Sequence, residues 1–147
     1  MIDQLYQKAI LQQAARASGH GRPAESESSY TLHNPLCGDR ITVHLKMEGE
    51  RLALFGHETR ACVLCQANAS LLAEKAPGET AESLTHIQDL LVQGLESGAL
   101  KETDWPVEKW QELSIFAPVT EHKSRHKCVT LPFEALISAM RGETEGN

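Results

Sequence analysis

Ile41-Thr42-Val43-His44-Leu45-Lys46-Met47 alternates apolar and polar side chains, the period of a strand with one buried face. Glu48-Gly49-Glu50 turns the chain, and Arg51-Leu52-Ala53-Leu54-Phe55-Gly56-His57 follows as a second strand, because three residues containing glycine commonly close an antiparallel hairpin. A short run at residues 30–32 adds a further strand ahead of the pair. The expectation is a small antiparallel sheet of about three strands, with His44 pointing outward from it.

The flanks of this sheet read as helices. On the N-terminal side, Ile2, Leu5, Tyr6, Ala9 and Ile10 recur at helical spacing, which predicts an amphipathic helix ending near Gln13. Residues 17–29 are small, polar or helix-breaking and read as a loop, a partly mobile connection on whose details function does not depend. Beyond the sheet, Cys62 opens an Ala, Leu, Gln and Glu-rich helix that stops at Ala76-Pro77-Gly78. A second helix places Leu84, Ile87, Leu91 and Leu95 on one face and stops near Gly98. Residues 98–127 lose the pattern, with Trp105-Pro106 and Ala117-Pro118 marking loops around a short helix over residues 107–113. A last helix over about residues 131–141 takes Pro132 into its first turn. Helix, sheet, helices is an α+β order, a three-stranded antiparallel sheet packed against helices.

Length and composition narrow the function classes. The 147 residues suit one domain. Lys and Arg number 14 against 20 Asp and Glu, a net charge of -6, the wrong sign for a phosphate-backbone binder, so nucleic acid is not expected as a partner. Aromatics are 5% of the chain, which predicts an aliphatic core, and mean hydropathy is -0.33 with no apolar run of membrane-spanning length. Asp3 stands where a signal peptide carries basic residues, so the expected location is cytoplasmic. Four cysteines are too few for a disulfide scaffold, which leaves thiols, ligands or core filler.

The residues with chemistry to offer cluster at the ends of these elements. Asn34-Pro35-Leu36-Cys37-Gly38-Asp39-Arg40 sets a thiol and a carboxylate two residues apart around a glycine just before a strand. Both are ordinary zinc ligands, although a Cys-Gly-Asp string alone is as readily a turn. Cys62-Val63-Leu64-Cys65 has spacing suited to metal or redox chemistry. Only Cys62 would sit at the helix N-terminus, where the dipole favours a thiolate, while Cys65 reads as a buried small side chain. Cys128 follows Lys123-Ser124-Arg125-His126-Lys127, a positive cluster that would stabilise its thiolate. His126 is a more credible ligand than His20, His33, His57, His86 or His122 because it neighbours Cys128. Cys37, Cys62, Cys128 and Asp39 together form a Cys3Asp set that can close tetrahedrally on one ion.

Asn34-Pro35-x-Cys37-Gly38-Asp39-Arg40-Ile41, Cys62 opening an Ala/Ser-rich helix, and Lys127-Cys128 before the last helix resemble the U-type iron-sulfur assembly proteins, the NifU/IscU/SufU-like family. The opening Ile2-Asp3-Gln4-Leu5-Tyr6 extends the likeness over nearly the whole chain. The long interval between Cys62 and Cys128, and Lys127 rather than His before the last cysteine, are similar to the SufU-like branch, with about residues 98–127 as an inserted segment. The resemblance implies Cys37, Asp39, Cys62 and Cys128 as ligands of Zn2+ or of a transient [2Fe-2S] cluster. It implies a SufS-like cysteine desulfurase and iron-sulfur acceptor or carrier proteins as partners, and a zinc-dependent sulfurtransferase role in which Cys37 takes persulfide sulfur. A pure scaffold and a zinc-stabilised interaction module are the alternatives. Arg60-Ala61 stands where the family has glycine before the cysteine, Cys65 where serine is common, and the segment after Gln13 lacks the family's Tyr-x-Asn-Pro-Arg pattern.

Overall fold

In the computed structural model, which describes residues 7–34 and 38–143, the central hairpin forms as expected and is longer at its loop-distal end. Strand β2 runs Arg40–Glu48 and β3 runs Arg51–Arg60. The loop between them is two residues, one fewer than expected, and Gly49 adopts a φ of 62°. That is the left-handed conformation a tight hairpin turn requires. Strand β1, Ser28–His33, pairs antiparallel on the other side of β2, giving the order β1-β2-β3.

Tyr30, Ile41, Val43, Leu45 and Phe55 are buried on the inner face of the sheet. Helix α2, Val63–Lys75, packs on β3, and helix α4, His126–Met140, packs on β1 and β2. Leu64, Cys65, Ala67, Asn68, Ala69, Ser70, Leu71 and Leu72 are all buried in α2. Its middle turns are buried over most of their circumference, and exposed Gln66 and Glu74 mark the narrow strip that meets solvent. Helix α1, Lys8–Arg16, lies against it, with Gln13 donating to Ser70 at 3.1 Å. Helix α3, Ala81–Ser97, starts at a Thr80–Ser83 capping box and ends at Gly98 with φ 81°, close to the expected bounds.

Two expectations are corrected. Helix α4 begins at His126, five residues before the expected start, so Pro132 lies inside it. Its ring supplies no N–H to the carbonyl of Cys128 four residues back. The short helix expected over residues 107–113 is instead a 3-10 helix from Glu108 to Glu121, flanked by shorter 3-10 segments at Leu100–Glu102 and Lys123–Arg125. Its buried residues, Trp110, Leu113, Phe116 and Val119, recur every three positions, the repeat of a 3-10 turn. Trp110 and Phe116 join Phe133 among the largest fully buried side chains, so this segment carries aromatic bulk into a mainly aliphatic core.

The segment before β1 is tied down rather than loose. Gly21 N donates to His57 O at 2.8 Å and His57 N donates to Gly19 O at 2.9 Å, extending the free edge of β3. The chain then crosses the outer face of the sheet, where a Cβ on Gly56 would lie 2.5 Å from Pro23 Cδ, and rejoins through Glu27 N to Leu45 O at 2.8 Å. His44 therefore faces outward as expected but is only 4% exposed. Its ring is fixed between Ser29 Oγ at 2.7 Å and Glu58 Oε1 at 2.8 Å. At the hairpin end the same edge of β3 is met by Leu52 N to Glu79 O and Gly78 N to Leu52 O. No helix among the described residues is long and apolar enough to cross a membrane.

Candidate metal centre

The end of the sheet opposite the hairpin loop brings three separate elements together. Asn34 N donates to Asp39 O at 2.7 Å and Gly38 N to Asn34 O at 2.9 Å. This closes the β1–β2 connection around Gly38, whose φ of 76° suits glycine. Asp39 is thereby turned inward, 6% exposed. Cys62 is the residue that caps α2, with an extended φ/ψ of -65° and 167°, and its N–H donates to Asp39 Oδ1 at 3.3 Å. Cys128 sits in the first turn of α4, 1% exposed. Beside it, Asn68 of α2 donates its side-chain N–H to the carbonyl of Val129 and fixes the two helices against each other.

One carboxylate oxygen and the two Sγ atoms of Asp39, Cys62 and Cys128 all lie within 4.8 Å of one another. Around a tetrahedral zinc, with bonds of about 2.0–2.3 Å, neighbouring donors lie roughly 3.5–3.8 Å apart, so a small contraction brings this set to coordination distance. Asp39 Oδ2 is buried with no hydrogen-bond partner among the described residues. An unpartnered buried carboxylate oxygen is costly unless a cation or donor meets it. The thiols are already polarised toward metal binding. The Cys128 thiol donates to Cys62, and with the N–H groups of Cys65 and Leu64 this outweighs burial and the Asp39 charge, drawing the Cys62 thiol down to about 6. Cys128 is pushed well above the ordinary thiol range by that same hydrogen bond, by burial, by the Cys62 charge, and by a further hydrogen bond to Asp39 and the Asp39 charge. Cys62 is thus the thiolate of the pair, at a helix N-terminus.

Cys37, expected as a fourth ligand, lies outside the described residues. Cys65 is fully buried in the hydrophobic core, and His126 directs Nε2 to the carbonyls of Val119 and Thr120 at 3.1 and 3.0 Å. Neither joins the three-residue group found among the described residues. Sequence reading had no signal for Asn68, a polar residue in an apolar helix, nor for the placing of Arg40 directly opposite Arg60, which only the strand register reveals.

Residues 5–129 match the family model described as NifU-like N terminal domain. The chain is 28% identical over 149 residues to the zinc-dependent sulfurtransferase SufU of Bacillus subtilis (strain 168), covering 99% of this chain and 96% of that protein. It is 26% identical over 143 residues to the iron-sulfur cluster assembly scaffold protein IscU of Streptococcus pyogenes serotype M1, covering 95% of this chain and 85% of that one. A crystal structure of a nitrogen-fixing NifU-like protein (N-terminal) from Brucella abortus superposes with a TM-score of 0.83 at 34% identity, covering 95% of this chain and 94% of that one. By its α+β fold and its sequence, the chain belongs to the NifU-like N-terminal domain family.

Proposed function

We propose that this protein is an iron-sulfur cluster assembly protein of the cytoplasm that accepts sulfur from a cysteine desulfurase and holds zinc or a nascent [2Fe-2S] cluster. The observation that carries the reading is the convergence of Asp39, Cys62 and Cys128, from three elements far apart in sequence, within 4.8 Å of one another. Cys37, two residues from Asp39 in sequence, is proposed as the remaining ligand and as the thiol that takes persulfide sulfur. Zinc in this set would hold the thiols deprotonated, and a position for exchange would open when one of the four ligands leaves it. Cys62 and Cys128 anchor it from the starts of two packed helices, and Asp39 supplies a harder, more exchangeable donor. Thiolates suit zinc and iron-sulfur centres alike, and the cluster is cargo in this reading.

The test is elemental analysis of protein purified without oxygen, paired with the turnover of a cysteine desulfurase with and without it. One zinc per chain and stimulated turnover, lost in Cys37→Ser, is the expected result. Unchanged turnover with that variant removes the acceptor role. Iron and sulfide without stimulation would place the protein with pure scaffolds, the reading favoured by the name of the Streptococcus pyogenes relative.

A further inference from the structure

The two borders of the sheet are finished differently. The border formed by β3 is met by residues 19–21 and 78–80, whereas β1 has β2 on one side and α4 beneath it. The register fixes which backbone groups of β1 face the open side. Asn34 N donates to Asp39 O at 2.7 Å, so Leu32 and Tyr30, at alternate positions before it, also exchange hydrogen bonds with β2. Ser29, Thr31 and His33 lie between them and turn their N–H and C=O groups outward. The contacts of Ser29 Oγ with His44 Nδ1 at 2.7 Å and of Thr31 Oγ1 with Thr42 Oγ1 at 2.8 Å agree with this, because side chains come closest across pairs that share no backbone hydrogen bond. Among the described residues no backbone group pairs with the outward N–H and C=O groups of Ser29, Thr31 and His33.

The strand reads Ser-Ser-Tyr-Thr-Leu-His, with no lysine, acid or proline, the residues that commonly blunt the border of a sheet. Its length of about 20 Å lets an added strand bond at Ser29, Thr31 and His33. Contact along such a border covers roughly 200 Å² per partner, far below the roughly 800 Å² per partner of a stable complex. It therefore suits an extended segment of a protein that also docks elsewhere, and not a second copy held by this edge alone. Inward side chains of the segment would lie beside half-buried Leu32, which packs against the core, and outward ones beside the Ser29 and Thr31 hydroxyls. An alternation of apolar and polar residues fits both. Because β1 runs directly into the connection that carries Asp39, a segment laid along it has one end at the metal centre. We propose that the open edge of β1 takes up an extended segment of the sulfur donor as a fourth strand, and that this main-chain pairing brings the donor to the metal centre. The choice of occupant rests on the reading of the protein as a sulfur acceptor.

The test follows amide hydrogen exchange by NMR, residue by residue, in the full-length protein alone and with a SufS-like cysteine desulfurase. The amides of Ser29, Thr31 and His33 slow about ten-fold or more in the complex, while those of Tyr30 and Leu32, already bonded to β2, change little. That alternation marks an added strand, since docking through side chains slows neighbouring amides alike. Thr31→Pro removes one outward N–H and no bond to β2, and it weakens desulfurase binding about five-fold, the loss of one backbone hydrogen bond. Thr31→Val, which loses only the hydroxyl contact to Thr42, stays within about two-fold. Should Thr31→Pro not fold, the wild-type exchange pattern decides on its own. Slowing spread evenly over residues 28–33, or absent from them in a bound complex, or equal losses in the two variants, overturns the added strand and leaves the acceptor role standing. The same slowing in the concentrated protein alone gives the edge to a second copy and overturns the occupant. A desulfurase that stays unbound removes both readings.

Discussion

Asp39→Asn separates the energetic role of the carboxylate from its geometry. The amide keeps an oxygen for the Cys62 N–H that Asp39 Oδ1 accepts at 3.3 Å. It replaces Oδ2, which is buried without a partner among the described residues, with a donor that can face the Cys62 sulfur. It also removes a negative charge that opposes the Cys62 thiolate. Leaving a buried polar atom unsatisfied costs about 1–3 kcal/mol, so the metal-free variant is expected to be more stable than wild type by that amount. For 147 residues, at roughly 3 °C per kcal/mol, this is an increase in Tm of about 3–9 °C. Far-UV circular dichroism melts in a chelator measure it, and melts with excess zinc give the other half of the prediction. The variant gains less from zinc than wild type, because stabilisation by a ligand follows its affinity. A variant that melts at or below wild type in the chelator would refute the reasoning, since the carboxylate would then be satisfied in the apo protein.

Gly56→Ala is expected to destabilise the fold by about 1–3 kcal/mol through overpacking, because the new methyl meets Pro23 Cδ at 2.5 Å and the carbonyl oxygen of Gly21 at 2.7 Å. Urea titration measures the loss, and hydrogen exchange at Gly21 and His57 should quicken; no change in either would mean that the crossing segment yields freely. His57 is held below its ordinary 6.5 by burial, with the nearby His20 and His44 adding to the effect against a hydrogen bond to the Ser18 carbonyl. As pH falls through 6.5 the unfolded chain takes up a proton that the folded chain refuses, so this stability is complete above that pH and is lost below it. The slope is at most about 1.4 kcal/mol per pH unit, and urea midpoints of His57→Gln should fall less steeply with acid than those of wild type. Equal slopes would show that His57 titrates normally in the fold.

The hairpin, helix α3 and the position of Cys62 at a helix start were legible because each rests on a local pattern: alternation, a 3.6-residue period with a glycine stop, or an Ala and Leu-rich run opening at the cysteine; Cys128, expected just before the last helix, lies inside its first turn. The misplaced start of α4 follows from Pro132. Proline is easiest to accommodate in a first turn, and here it is tolerated inside the helix, so the local rule pointed five residues too late. Residues 108–121 failed for a different reason, since their period of three fits neither template used to find helices and strands. The burial of His44 depends on a segment that crosses the sheet from one edge to the other, a long-range event with no trace in the alternation of β2. The row His33, Arg40, Arg60 is similarly invisible until the register is known, as three residues become neighbours only when three strands align.

The treatment of the long edge of β3 bears on how the protein behaves when crowded. A strand at the border of a sheet offers unpaired N–H and C=O groups to any other chain, and this is the usual template for aggregation. Here the border is plugged twice, by residues 19–21 at His57 and by residues 78–80 at Arg51 and Leu52, neither of them a strand. The stretch between the plugs is too short for a foreign strand to gain a stable ladder. On this side of the sheet, edge-to-edge pairing with another chain is therefore blocked without a fourth strand.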